Sequence, residues 1–207
     1  MELIGYYASP FARRVGITLH LYGIPFTHRP FGPRPDPEEV RARNPLGRIP
    51  SLVLDSGEVL IDSLMIIDFL DELAGPQRAL IPASGERRWQ VNRLVALAHG
   101  TAEKSIAVFY ERIRRPPSHV WQPWLDKLES QCLDGLAALE AALAARTHAG
   151  PWLLPGDMTH ADVAAAVALQ GINFDLPGLV PPGRFRRLEA LSAEAAVLPA
   201  FAAAVPI

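Results

Sequence analysis

Cysteine is nearly absent: Cys132 is the single one in 207 residues. The chain therefore closes no internal disulfide and has no cysteine pair for exchange chemistry. Cys132 lies among Leu128, Leu133, Leu136 and Leu139, and this spacing reads as a small core or interface residue rather than a nucleophile. A surplus of one charge is also missing. Twenty Lys+Arg stand against 22 Asp+Glu, a net charge of −2, so neither nucleic acid nor an anionic membrane is an expected partner. Two short basic runs, Arg112/Arg114/Arg115 and Arg184/Arg186/Arg187, read as solvated helix ends. No apolar run is long and uncharged enough to span a bilayer; the nearest, Ala161 to Leu169, is interrupted by Asp162. The N-terminus does not read as a signal peptide, and a reducing cytoplasm is the expected location. The six histidines show no metal-ligand spacing, so no metal is expected.

What is present is an ordinary globular balance, 49% hydrophobic and 20% charged residues, enough to build a core for one domain or two. The first part alternates strand and helix signals. A strand is expected over Leu3–Tyr7, a helix from Pro10 to about Tyr22 stopped by Gly23-Ile24-Pro25, and a strand at Phe26–Arg29. Asp36-Pro37-Glu38-Glu39 starts a short helix with Val40–Arg43 as its body. Ser51–Leu54 and Glu58–Ile61 flank Asp55-Ser56-Gly57 as a hairpin, and Asp62-Ser63 opens a helix carrying Leu64, Ile67, Phe69 and Leu70. The order β-α-β-α-β-β-α predicts a small mixed sheet, with the first two strands parallel and the last two antiparallel.

The segment from Gly75-Pro76-Gln77 to Gly85 reads as a linker, and the rest as helix. Long helices are expected over Glu86–Arg114 and Ser118–Arg146, a third over His160–Ile172, and shorter ones over Arg184–Ala193 and Leu198–Ala204. The expected domains are residues 1–76 and 86–207, joined by 77–85. Thr159 with Asp162 fits a capping box with a shorter acid than usual.

One segment carries chemistry. The apolar run Leu3-Ile4-Gly5-Tyr6-Tyr7 leads to Ser9-Pro10, and then to residues at helical spacing. Proline suits the first helical position, and the unpaired N–H groups around it favour an anion such as a thiolate or carboxylate. On this segment alone, Ser9 reads first as a plain helix cap.

Four separated segments together resemble the cytosolic glutathione transferases: Ser9-Pro10-Phe11, Asn44-Pro45-Leu46-Gly47-Arg48-Ile49-Pro50, Asp62-Ser63, and Gly156-Asp157-Met158-Thr159-His160-Ala161-Asp162. In this order and spacing the resemblance covers essentially the whole chain, and it is nearest a bacterial Ser-type subgroup. It implies an α/β thioredoxin-like N-terminal domain that binds glutathione and an all-α C-terminal domain that shapes the second-substrate pocket. It also implies a homodimer acting in detoxification.

On this resemblance Ser9 donates to the glutathione sulfur, with Tyr7 as second choice. A free thiol ionises near pH 8.5, and lowering that by one or two pH units needs about 1.4–3 kcal/mol of preferential stabilisation. Arg13 is a further aid to the anion. Ile49 pairs through its main chain with the cysteinyl backbone, and Pro50 is the cis residue of that step. Asp62 takes the ligand ammonium and Ser63 the γ-glutamyl carboxylate. Arg48 takes the glycine carboxylate, with Arg34 and Arg41 as alternatives. Phe11, His99, Glu103 and Tyr110 are the candidates for the electrophile pocket. The expected function is stabilisation of the glutathione thiolate for attack on a small hydrophobic electrophile; dehalogenation, isomerisation or peroxide reduction could use the same site. The alternative is a glutathione- or partner-binding protein with little turnover. A thiol–disulfide oxidoreductase is a third reading, disfavoured because Ser9 occupies the place of the attacking cysteine.

Overall fold

Two residues of the first strand, Leu3 and Ile4, are fully buried, and they set the centre of a four-stranded sheet. In the computed structural model, which describes residues 1–206, β1 (Glu2–Ile4), β2 (Thr27–Arg29), β3 (Ser51–Val53) and β4 (Val59–Leu60) follow the spatial order β2-β1-β3-β4. β1 runs parallel to β2, with Leu3 opposite His28. It is antiparallel to β3, with Leu3 opposite Leu52, and β3 and β4 form the expected hairpin. Helices α1 (Pro10–Tyr22), α2 (Pro37–Arg41) and α3 (Ser63–Ala74) complete this α/β thioredoxin-like arrangement. β1 stops at Ile4 rather than Tyr7. Gly5 adopts φ 139°, and a Cβ there would stand 2.9 Å from that of Ala12 and 3.1 Å from that of Ile49, so the chain must leave the ladder at a residue without a side chain.

α1 begins where a local cap and a proline coincide, and it ends at Gly23 in the left-handed conformation, φ 64°. Between these ends it is buried almost all round, and within its unit it packs on α3 and β1. The chain divides into two compact units, Met1–Gly85 with the C-terminal segment from Val197, and Glu86–Ala196. The helical pattern after the linker places that terminal segment in the expected helical domain, residues 86–207. Its α8 (Pro199–Ala202) instead lies in the first unit, where Phe201 is only 1% exposed and Arg13 donates to the Ala204 carbonyl at 2.6 Å. The segment read as a linker is fastened there too: Leu80 N–H donates to Tyr22 Oη at 2.7 Å and to Asp71 Oδ1 at 3.2 Å, and Arg78 Nη2 donates to the Tyr22 carbonyl.

The second unit is helical: α4 (Gly85–Phe109), α5 (Gln122–Ala144), α6 (His160–Asp175) and α7 (Arg186–Ala196). The expected helix to Arg114 changes character at Tyr110, where a π-helical turn runs to Arg114 ahead of Pro116-Pro117. α5 starts at Gln122 rather than Ser118, because Pro123 fits only a first helical turn. Leu94, Val108, Leu128, Leu136 and Leu139 form its core with Cys132, whose thiol burial pushes up to about 12. Such a thiol is un-ionised and inert, as its spacing predicted. α6 is buried along nearly its whole length, and Asp162 anchors its start by accepting from Thr159 N–H at 2.8 Å and Thr159 Oγ1–H at 2.9 Å. Among the described residues, no helix is long and apolar enough to cross a membrane.

Candidate functional site

The first unit gathers its polar side chains around α1. Ser9 is the N-cap, 8% exposed, and its hydroxyl oxygen accepts from Ala12 N–H at 3.4 Å. That contact is long for a hydrogen bond and uses only an oxygen lone pair. The hydroxyl proton can still be donated outward, at a helix end that carries partial positive charge. Capping and anion binding are therefore compatible roles for one side chain.

The segment before β3 reaches the same place. The Ile49–Pro50 peptide is cis, and the Ile49 side chain lies against Gly5 and so beside the first turn of α1. Asn44, a buried residue that sequence reading treated only as turn chemistry, shapes this segment. Its amide donates to the Arg48 carbonyl at 2.9 Å and its Oδ1 accepts from Leu46 N–H at 3.0 Å. Arg41 extends over Gly47, whose Cβ position is 3.7 Å from Arg41 Nε. Arg34, Arg41 and Arg48 are all exposed.

α3 supplies a second helix N-terminus. Asp62 is its N-cap, accepting from Leu64 N–H at 2.9 Å, and stays exposed. Ser63, the first helical residue, is buried, and its Oγ accepts from Arg14 Nη2 at 2.6 Å. Arg14, on the second turn of α1, was absent from the sequence-based site. No local pattern distinguishes it from Arg13, and its partner lies 49 residues away.

Two other expectations separate on burial. Tyr7 is buried and stacks on His28 with ring centroids 4.0 Å apart, while His28 Nε2 donates to the Gly5 carbonyl at 2.8 Å. Its ring faces Gly16, whose Cβ position would be 2.7 Å from the phenol oxygen. Burial pushes the Tyr7 phenol up to about 12. The Tyr7 ring is thus packed between His28 and the backbone at Gly16. Arg13 is buried, remains cationic with its ionisation lowered only to about 10 by burial, and spends Nε on Ala204.

Phe11 is half-buried on α1. In the second unit, His99 and Glu103 face each other one helical turn apart on α4 at 3.7 Å, and Tyr110 is exposed at the start of the π-helical turn. Among the described residues, no group of three or more His, Cys, Asp or Glu could hold a metal ion.

The first unit thus offers a hydroxyl at one helix start, a main-chain segment at Ile49, and a carboxylate and hydroxyl at a second helix start. Such a set suits an extended ligand bearing a thiol, amides, an ammonium and a carboxylate.

Compared with known proteins, the sequence matches the glutathione S-transferase N-terminal domain over residues 3–78 and the glutathione S-transferase C-terminal domain over residues 122–194. An uncharacterized GST-like protein of Escherichia coli, YibF, is 30% identical over 174 residues, spanning 84% of this chain and 83% of that one. A probable maleylacetoacetate isomerase of Vibrio cholerae is 29% identical over 99% of this chain and 94% of its own. A crystal structure of a glutathione S-transferase from Methylobacillus flagellatus with glutathione bound superposes with a TM-score of 0.91. It is 28% identical and covers 100% of this chain and 99% of the other.

Proposed function

Since the chain belongs to the glutathione S-transferase family, we propose that its first unit binds glutathione and presents the thiolate, beside Ser9, to a small hydrophobic electrophile. The observation that carries this reading is the Ser9 hydroxyl at the N-terminus of α1, adjacent to Ile49 and tied through Arg14 and Ser63 to the start of α3. Ser9 donates to sulfur and, with the helix end, favours the anion over the thiol. Ile49 pairs through its N–H and C=O with the cysteinyl backbone, in the manner of an added strand. Asp62 holds the ammonium, and Ser63 with the α3 N-terminus the γ-glutamyl carboxylate. An arginine of the loop region, Arg48 or one of the alternatives Arg34 and Arg41, meets the glycine carboxylate. Phe11 on α1, and His99, Glu103 and Tyr110 in the helical unit, are the candidates for contact with the electrophile. The working form in this reading is a cytoplasmic homodimer.

The thiolate serves two reaction types. It displaces a leaving group in conjugation. It can also add to an activated carbon–carbon double bond, allow rotation about the resulting single bond, and depart, which is isomerisation. Similarity to the Vibrio cholerae protein along almost the whole chain favours including that second type.

Titration calorimetry with reduced glutathione, followed by turnover with an activated aryl halide and with a cis-alkene diacid, tests this reading. Heat of binding and a raised unfolding temperature are expected. Absence of both removes the glutathione site; binding without turnover of any electrophile leaves a glutathione-holding protein.

A further inference from the structure

The Arg14–Ser63 hydrogen bond joins a permanent cation to the residue just assigned to the γ-glutamyl carboxylate. Arg14 is 2% exposed, so α1 packing fixes its guanidinium, and Nη2 reaches Ser63 Oγ at 2.6 Å. A serine hydroxyl has one proton and two lone pairs. Accepting from Arg14 occupies a lone pair and turns the proton away from the guanidinium. On that side Ser63 Oγ–H reaches Asp62 Oδ1 at 3.4 Å, well beyond the usual 2.7–2.8 Å of an O–H···O bond. A hydroxyl that accepts from a cation is also a stronger donor, because hydrogen bonds in a chain polarise one another. The α3 amide end adds positive potential at the same point.

We infer that Arg14 is a positioning residue for the carboxylate at the γ-glutamyl end of glutathione, acting through Ser63. It holds the Ser63 proton toward the ligand and backs it with a fixed charge. This rests on the proposed glutathione site and adds the residue that sets its preference for a carboxylate at that end.

The test compares two ligands by calorimetry: reduced glutathione, and the analogue in which hydrogen replaces the α-carboxylate of the γ-glutamyl residue. The wild-type protein is expected to prefer glutathione by about a hundredfold, as a charge-assisted contact allows. Arg14→Gln and Ser63→Ala should each reduce that preference to about tenfold. The double variant should fall no further, because both changes remove one chain of interactions. A purely structural role for Arg14 would weaken both ligands alike and leave the ratio unchanged, which overturns the inference; so does a ratio in the double variant that multiplies the single effects. Should Arg14→Gln fail to fold, Arg14→Lys keeps a buried cation without the planar fork. Its ratio is expected between wild type and tenfold, and an unchanged ratio overturns the inference equally. Wild type binding neither ligand removes the glutathione reading as a whole, whereas wild-type discrimination that survives in the Arg14 variants removes only the role of Arg14.

Discussion

Arg13 and Ala204 stand 191 residues apart in the chain, and a 2.6 Å hydrogen bond from the Arg13 guanidinium Nε to the Ala204 carbonyl joins them. The Phe201 ring lies 6.0 Å from the same guanidinium and is fully buried. The C-terminal segment therefore helps to hold the helix that begins at Ser9. Replacing Phe201 with alanine removes a large buried ring and leaves a cavity, a change that costs about 3–5 kcal/mol. Urea unfolding should show that loss. A cost below about 1 kcal/mol would mean the segment only drapes over the unit.

Ser9 and Tyr7 make opposite predictions. Ser9→Ala removes a donor used toward sulfur, so turnover should fall about ten- to a hundredfold while glutathione affinity changes by less than about threefold. Stability should drop by only about 0.5 kcal/mol, the low end for a lost cap, because the bond to Ala12 N–H is long at 3.4 Å. Tyr7→Phe should leave turnover unchanged, since its phenol is turned toward Gly16 and its ring lies on His28. Steady-state kinetics with an activated aryl halide reads both. Equal turnover in Ser9→Ala and wild type would transfer the role to another hydroxyl.

Asp162 is a structural anchor with a measurable cost. Its carboxylate accepts from Leu153 N–H at 2.7 Å, Thr159 N–H at 2.8 Å and Thr159 Oγ1–H at 2.9 Å, all in a buried setting. Burial raises its pKa and these bonds oppose that rise. Asp162→Ala leaves several buried donors without an acceptor and should destabilise by about 3 kcal/mol or more. Asp162→Asn keeps one acceptor oxygen and should cost less. Thermal and urea unfolding would rank the two, and equal values would assign the cost to packing instead.

These contrasts follow what a sequence can carry. The Ser9-Pro10 start of α1, the Asp62 cap of α3 and the Thr159–Asp162 box are local, made by residues within a few positions, and each was legible. So were the parallel β1–β2 and antiparallel β3–β4 directions, because crossover length and the Asp55-Ser56-Gly57 turn constrain them; the place of β3 beside β1 was not. Contacts across the chain were not. Nothing in the helical spacing of residues 198–204 says which unit it joins, and nothing near Arg14 names Ser63. The strand expected over Leu3–Tyr7 ends at Ile4: the apolar run continues past Gly5, but close approach of Ala12 and Ile49 ends the ladder there.

Asp71 gives a pH prediction with a definite sign. It sits near the C-terminal end of α3, accepts from the Tyr22 hydroxyl and from Leu80 N–H, and is buried. Desolvation pushes its carboxyl up from 3.8 to about 6, opposed by the hydrogen bonds from Tyr22, Leu80 and Ile81 and reinforced by the charge of Asp68. Burial, then the bond to Asp71, pushes the Tyr22 phenol up as well, with Arg78 acting in the other direction. The folded protein therefore binds the Asp71 proton more tightly than the unfolded chain does. The stability contributed by that proton is complete below about pH 4 and is lost as pH rises through about 6. In Asp71→Asn the side-chain oxygen still accepts from Tyr22 and Leu80, but nothing ionises. The urea midpoint of the variant should gain on that of wild type as pH goes from 4 to 7, with most of the gain between 4 and 6. Curves that stay parallel across that range would show that the Asp71 carboxyl titrates in the folded state as it does in the unfolded chain.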